Sequence, residues 1–396
     1  MKKTLITPVH GSVTAARGFR AGGRSAGIKP NGQHDLALIV SDAPATVAAV
    51  FTTNQVKAAP VKLDIVHLRG GRARAIVANS GNANACTGPV GMMHARAMAA
   101  GVARRLGCPE NQVFVGSTGR IGVRLPIVKI VAGIKKLLAT VSRTGSHQAA
   151  RAIMTSDTFA KESAVRIRHA GRTIHVGGIA KGAGMIEPNM ATMLCFLTTD
   201  ADLPRAALQK ALATAVNQSF NRVSVDGDMS TNDSVILLAN GQAGKLPPSL
   251  FQEALNRVCL DLARMLVRDG EGVSKFVTVT VHGATSDRDA ERAARSVANS
   301  VLVKTSWCGG DPNWGRIMDA LGYSPARVRE ELVDISYDGV RAVRGGIAAK
   351  TPLAKLKAIV AGPVFAVDIH LHLGRGRCAV HTCDLTEQYV TLNKGE

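Results

Sequence analysis

Gly177-Gly178-Ile179-Ala180-Lys181-Gly182-Ala183-Gly184-Met185-Ile186-Glu187-Pro188-Asn189-Met190-Ala191-Thr192-Met193-Leu194-Cys195-Phe196 is the stretch whose reading decides the fold. Its four glycines and its proline read as one conformationally special loop, and the apolar run that follows should enter a core. Backbone at such a junction can be held under strain, and strain of that kind clusters at functional sites. A Gly-rich turn ahead of a buried strand would have the same composition. The pattern alone therefore leaves both readings open.

Outward from this stretch, strand-like and helical runs alternate. Strands are expected at Ala37–Val40, Thr46–Phe51, Ala75–Asn79, Val165–Arg168, Thr173–Val176, Val235–Ala239, Val277–Val281, Val333–Tyr337 and Val364–Leu373. His169-Ala170-Gly171-Arg172 reads as a hairpin between two of them. Helices are expected at Met92–Leu106, Pro126–Leu138, Arg205–Phe220, Leu250–Val267 and Arg288–Val301. The fourth closes on Arg268-Asp269-Gly270, a basic last turn followed by glycine. Such a mixture indicates an α/β or α+β chain with layered sheets rather than a bundle. At 396 residues the chain exceeds the size at which one core usually divides, and a boundary at 278/279 is expected, where a new strand–helix–strand series begins.

Composition narrows the class. The chain is 46% hydrophobic and 20% charged, without low-complexity tracts. Pro8 and His10 interrupt what would be a signal-peptide core, and no apolar stretch approaches the roughly 18 residues of a membrane span. The seven cysteines are odd in number and form no CxxC pair, which fits free thiols in a reducing cytoplasm. A net charge of +20 favours anionic partners, but only 14 residues are aromatic and the bases are scattered. A solvated basic surface is expected rather than specific nucleic-acid recognition. Along Phe365–Leu373 the apolar residues alternate with Asp368, His370 and His372. Those three could ligate zinc, but simple alternation also puts polar residues on a solvated face, and no metal is expected.

Phosphate loops of the GxxxxGK[ST] kind, GxGxxG, GxSxG and HExxH are all absent. Asn79–Gly88, Asn79-Ser80-Gly81-Asn82-Ala83-Asn84-Ala85-Cys86-Thr87-Gly88, is small and polar, as a close-approach loop would be. Further blocks are Gly18-Phe19-Arg20-Ala21, Ser117-Thr118-Gly119, Thr155-Ser156-Asp157-Thr158-Phe159, Pro188-Asn189-Met190-Ala191-Thr192-Met193-Leu194, Val225-Asp226-Gly227-Asp228, Ser230-Thr231-Asn232-Asp233, Gly309–Arg316 and Cys383-Asp384-Leu385-Thr386. In this order, over nearly the whole chain, they resemble the ornithine acetyltransferase (glutamate N-acetyltransferase) family of arginine biosynthesis.

The resemblance implies a layered α-β-β-α sandwich like that of N-terminal-nucleophile enzymes, with a smaller C-terminal α/β domain. It implies self-cleavage between Ala191 and Thr192, giving fragments 1–191 and 192–396 that assemble as two copies of each. Thr192 would be the nucleophile, and Thr118 and Gly119 the oxyanion hole. Thr155, Lys181, Thr192, Glu271 and Asn393 would bind substrate. The implied reaction moves acetyl from N-acetylornithine to glutamate through an acetyl-Thr192 ester, in ping-pong order and without a required cofactor. Family members differ in whether acetyl-CoA also supplies acetyl, and both alternatives stand here. Arg120 beside the oxyanion pair and His381-Thr382 before Cys383 depart from the family pattern, and the sequence runs only three residues beyond Asn393, so a terminal Thr or Ser contact is expected to be missing. An N-terminal-threonine amidohydrolase or aminopeptidase, with water as acceptor, is the alternative enzyme class. A basic nucleic-acid-binding protein is the non-enzymatic one.

Overall fold

The computed structural model describes residues 5–187 and 193–394, which form two compact units: Met1–Asn221 with Asp228–Leu266, and Arg222–Gly227 with Val267–Glu396. In the first unit nine strands among the described residues belong to one hydrogen-bonded sheet. They are β1 (Leu5–Pro8), β2 (Phe19–Arg24), β3 (Leu36–Phe51), β4 (Arg72–Asn82), β5 (Val113–Arg120), β6 (Lys161–His169), β7 (Arg172–Lys181), β8 (Leu194–Ala201) and β9 (Ser234–Gly244). The helices are α1 (Ala59–His67), α2 (Gly88–Leu106), α3 (Ile127–Leu138), α4 (Ser146–Ile153), α5 (Arg205–Gln218) and α6 (Pro248–Arg268).

The long strand β3 makes two layers out of one sheet. Leu36–Val40 pair with β4 on one side and with β2 on the other, whereas Thr46–Phe51 pair with β9. The register shifts between Val40 and Ala45, where Asp42 and Pro44 interrupt the apolar run. A bulge is one of the few places a sheet accepts proline. The two strands expected at 37–40 and 46–51 are thus one strand broken by this bulge. Its two halves carry β2–β5 and β9–β8–β7–β6–β1 respectively.

The layers face each other across Ile39, Ile76, Phe114, Ile179, Leu194, Phe196 and Ile236, all fully buried. The outer face of the first layer (Leu38, Val77, Val115) is covered by α1, α2 and α3. On the outer face of the second, Gln209 of α5 hydrogen-bonds both backbone groups of Ala49, and Leu262 of α6 packs beside Gly178 and Leu197. The order is α-β-β-α, as expected. β8 is continuously apolar over Leu194–Leu197 because both of its faces are covered, and all eight of its residues are buried.

One local reading changes. Gly177 and Gly178 do not belong to the loop; they sit inside β7, where a Cβ on Gly177 would lie 1.9 Å from Ser12 O. Glycine is there for close approach, not for a turn. In the loop itself the non-glycine Met185 adopts φ +52°, a left-handed conformation costly for a side-chain-bearing residue. The expected hairpin is present: His169 pairs with Arg172, and Ala170 and Gly171 have φ of +46° and +76°.

Among the described residues the second unit holds a six-stranded sheet in the order β13-β12-β11-β14-β10-β15. Its strands are β10 (Phe276–Ala284), β11 (Asp334–Tyr337), β12 (Val340–Arg344), β13 (Ile347–Ala348), β14 (Val364–His370) and β15 (Gly376–Cys383). Its helices are α7 (Asp287–Asn299), α8 (Val301–Cys308), α9 (Trp314–Gly322), α10 (Leu353–Val360) and α11 (Glu387–Leu392). β10 and β14 are parallel and contribute Val277, Val279, Val281, Phe365, Val367 and Ile369 to one core with Trp307. β14 ends at His370, three residues short of the expected end. On its other face His282 meets Asp368 at 3.4 Å and His372 meets Asp334 at 3.3 Å. Among the described residues no three His, Cys, Asp or Glu side chains are grouped to hold a metal. The helix expected to run to Val301 ends at Asn299, because the Ser300 hydroxyl accepts the Val303 N–H and starts α8. No helix among the described residues is long and apolar enough to cross a membrane.

Candidate active site

The first unit gathers its unusual polar groups where β5 ends and β8 begins. β4 and β5 run parallel, with Ser80 opposite Thr118 and Gly81 opposite Gly119. Thr118 is 3% exposed. Gly119 has φ +125°, and a Cβ there would lie 2.4 Å from Gly81 C and 2.5 Å from Asn82 N. Only glycine fits. The layers touch nearby: a Cβ on Gly116 would meet Phe196 and Leu194 of β8. Thr118, two residues on, lies on the same side of β5.

Asn232 and Asp233 tie these ends together. The Asn232 amide nitrogen donates to Ser117 O (2.8 Å) and Ala83 O (2.6 Å), while Asp233 Oδ1 accepts the Met193 N–H at 2.8 Å. Ser234 N–H donates to Met193 O. Met193 is therefore held at both of its peptide groups. Asn79 supports the same corner, accepting from Ser117 Oγ and donating to Asn82 O.

Across the site, Lys181 closes β7 opposite Leu194. Its amine, 2% exposed as a residue, stands 3.9 Å from Asp157 Oδ2. Asp157 is a hub: Oδ1 accepts from Lys161 Nζ (2.6 Å) and Gly182 N (2.8 Å), and Oδ2 accepts from Thr155 N (2.8 Å). Burial opposes its charge, yet Lys181, Lys161 and these hydrogen bonds hold the carboxyl well below the usual carboxylate range. Thr155 and Lys181 thus share one carboxylate. Lys29 lies in the same field; burial lowers its amine to about 8 against the pull of Asp35 and Asp157. It donates to Met154 O and His34 O.

Of the expected site residues, Thr118, Gly119, Thr155 and Lys181 belong to the first unit. Glu271 and Asn393 belong to the second, where Asn393 Nδ2 donates to Glu271 Oε2 (2.9 Å) and to Tyr389 O. Ala191 and Thr192 lie outside the described residues. Asp157, Lys161, Lys29, Asn232 and Asp233 were not singled out from the sequence. The signal for Asn232 and Asp233 was the polar run Ser230–Asp233 immediately before the apolar strand β9.

The ArgJ family profile matches residues 20–395. The chain belongs to the ArgJ family. Its relatives include the arginine biosynthesis bifunctional protein ArgJ of Geobacter sulfurreducens, 50% identical over 95% of this chain and 98% of that one, and its namesake in Symbiobacterium thermophilum, 46% identical over 97% and 98%. Among solved structures, ornithine acetyltransferase from Mycobacterium tuberculosis, determined with ornithine, is 41% identical, with a TM-score of 0.43 over 48% of this chain and all of that one. ArgJ proteins are acyltransferases of arginine biosynthesis, and this chain is one of them.

Proposed function

We propose that this ArgJ protein cuts itself between Ala191 and Thr192 and then carries acetyl on the Thr192 hydroxyl from N-acetylornithine to glutamate. The observation that supports this most is the clamp on Met193, the residue bonded to Thr192, beside a rim that holds Thr118, Gly119, Thr155 and Lys181. In self-cleavage the Thr192 hydroxyl attacks the Ala191 carbonyl, the acyl group moves from nitrogen to oxygen, and water hydrolyses the ester. The new α-amine, with a reference pKa of about 7.7–8.0, can take the hydroxyl's proton when Thr192 attacks the acetyl carbonyl. Gly119 N–H and the Thr118 hydroxyl would receive the negative charge that builds on the oxygen. The amine passes its proton to the departing ornithine nitrogen, and glutamate then attacks the ester in the reverse sense.

Lys181 would meet a substrate carboxylate as a buried point charge. Glu271 and Asn393 are proposed as substrate-binding residues on the family match alone. Two copies each of 1–191 and 192–396 are the proposed assembly, and the cytoplasm the proposed compartment. Acetyl-CoA is proposed as an additional donor because the relatives are named bifunctional.

Intact mass under denaturing conditions tests the first step: two species are expected, one beginning at Thr192, and a single uncut chain for Thr192→Ala. N-acetylornithine supplied with and without glutamate tests the second. Ornithine release at an unchanged rate without glutamate would make water the acceptor and the protein a hydrolase. Glutamate supplied with acetyl-CoA alone tests the additional donor.

A further inference from the structure

Lys29 stands at the rim of the proposed site, and the reaction just described gives it no task. Its loop is fixed from within. The Asp35 carboxylate, 0% exposed, accepts the Ala26, Ile28 and Lys29 N–H groups, and Asp35 O accepts the N–H of Ser80, the residue opposite Thr118. The Lys29 stem then crosses Gly81, where a Cβ would lie 3.1 Å from Lys29 Cγ, and Gly81 is the register partner of Gly119. Its Nζ ends on His34 O at 3.1 Å and on Met154 O, in the peptide that also carries the Thr155 N–H. The ammonium is thus placed between the strand ends that hold Thr118 and Gly119 and the segment that begins at Thr155.

A half-buried ammonium in that place lacks an anion. Two backbone carbonyls compensate only part of the cost of leaving water, and they use two of its three N–H donors. The nearby carboxylates are engaged elsewhere: Asp35 by those three N–H groups, and Asp157 by Lys161, Gly182 N and Thr155 N. Both reach Lys29 only through their field, against that of Lys181. Burial outweighs them and lowers the amine to about 8.

We propose that Lys29 is a second cation of the substrate seat, and that its third N–H takes, together with Lys181, the α-carboxylate common to N-acetylornithine and glutamate. The inference rests on the proposed seating of substrate against Thr118, Gly119, Thr155 and Lys181. The distal ends of the two substrates carry opposite charges, so the shared carboxylate is the group by which one site can hold both. In each substrate it is borne by the carbon that also bears the reacting nitrogen. Its seat must therefore lie beside the oxyanion donors, which is where the Lys29 stem and ammonium run.

The test compares N-acetylornithine with its α-carboxamide, which keeps the shape and loses the charge. Each is supplied as donor to the mature wild type and to Lys29→Met, and the ratio of kcat/KM for acid over amide is read. Lys29→Met should lower this preference about 10- to 100-fold, mainly through KM. Because kcat/KM reports groups of the free enzyme, the wild-type preference should also decline as pH rises through about 8, where the ammonium loses its proton. It should fall towards a pH-independent level in Lys29→Met; titration of the distal amine cancels in the ratio. A variant that loses acid and amide turnover alike, or that keeps the full preference, makes Lys29 a structural clamp and overturns the inference. A wild type with no acid preference overturns the seating at Lys181 as well, while self-cleavage, read by mass, is judged separately. Should Lys29→Met fail to fold, the wild-type profile decides: a preference that stays level through pH 8 and above refutes the second cation.

Discussion

Asp157→Asn removes one charge from the lysine cluster without changing its shape, and the structure sets the size of the effect. Lys161 and Asp157 are both fully buried, so the variant takes away a carboxylate that the Lys161 ammonium bonds inside the core. Breaking a buried pair from one side costs about 3–5 kcal/mol. The amide has no good orientation either. With its nitrogen at Oδ1 it faces the Lys161 amine and Gly182 N–H; turned over, it faces Thr155 N–H. Either choice sets donor against donor and loses at least one more hydrogen bond, about 1 kcal/mol. The total of about 4–6 kcal/mol corresponds to a fall on the order of 10 °C in the first unit's thermal transition, read by calorimetry.

The pH dependence carries the sharper test. A carboxyl depressed in the fold contributes stability that is full above its unfolded value of about 3.9 and is lost as pH falls through the lower folded value. The wild-type advantage should thus be flat from pH 5 to 8 and shrink on acidification below about 4. A variant within about 1 kcal/mol of wild type at pH 7 would refute the assignment of Asp157 as the charge that holds Lys161 and Lys181. So would an advantage that does not decline in acid.

Gly119→Ala drives a methyl to 2.4 Å from backbone at a φ of +125°, so β4 and β5 must separate where the oxyanion donor is proposed. Stability should fall by about 2–4 kcal/mol, and kcat by about 10²-fold or more, by denaturant titration and steady-state assay respectively. Ala170→Asn relieves a left-handed alanine in the exposed β6–β7 turn and should stabilise by about 1 kcal/mol, seen as a higher melting temperature with unchanged kinetics.

What was legible in the sequence followed from periodicity and from turn chemistry. The β6–β7 hairpin was readable because Ala170-Gly171 sits between two alternating runs. α6 was readable from its apolar spacing and basic last turn. The single strand β3 was not, because Asp42 and Pro44 look like a turn when nothing in the sequence reveals that a bulge will absorb them. Gly177 and Gly178 looked like loop residues for a related reason: a glycine needed for the approach of Ser12, 165 positions away, is indistinguishable locally from one needed for a bend.

The same limit explains the site. Thr118, Gly119, Thr155 and Lys181 could be named through family resemblance, yet the groups that organise them had no pattern of their own. Asp157 bonds Lys161 four residues on, but not on a helix, and it meets Lys181 and Gly182 only because β7 ends there. Asp233 ends a polar run that would serve equally well as an ordinary strand lead-in. Its meaning comes from β8 and β9 starting side by side, so that Met193 brings its N–H to a carboxyl 40 positions later. Residues that touch a substrate are constrained by chemistry and recur as motifs. Those that hold them are constrained by where strands end, which only the fold reveals.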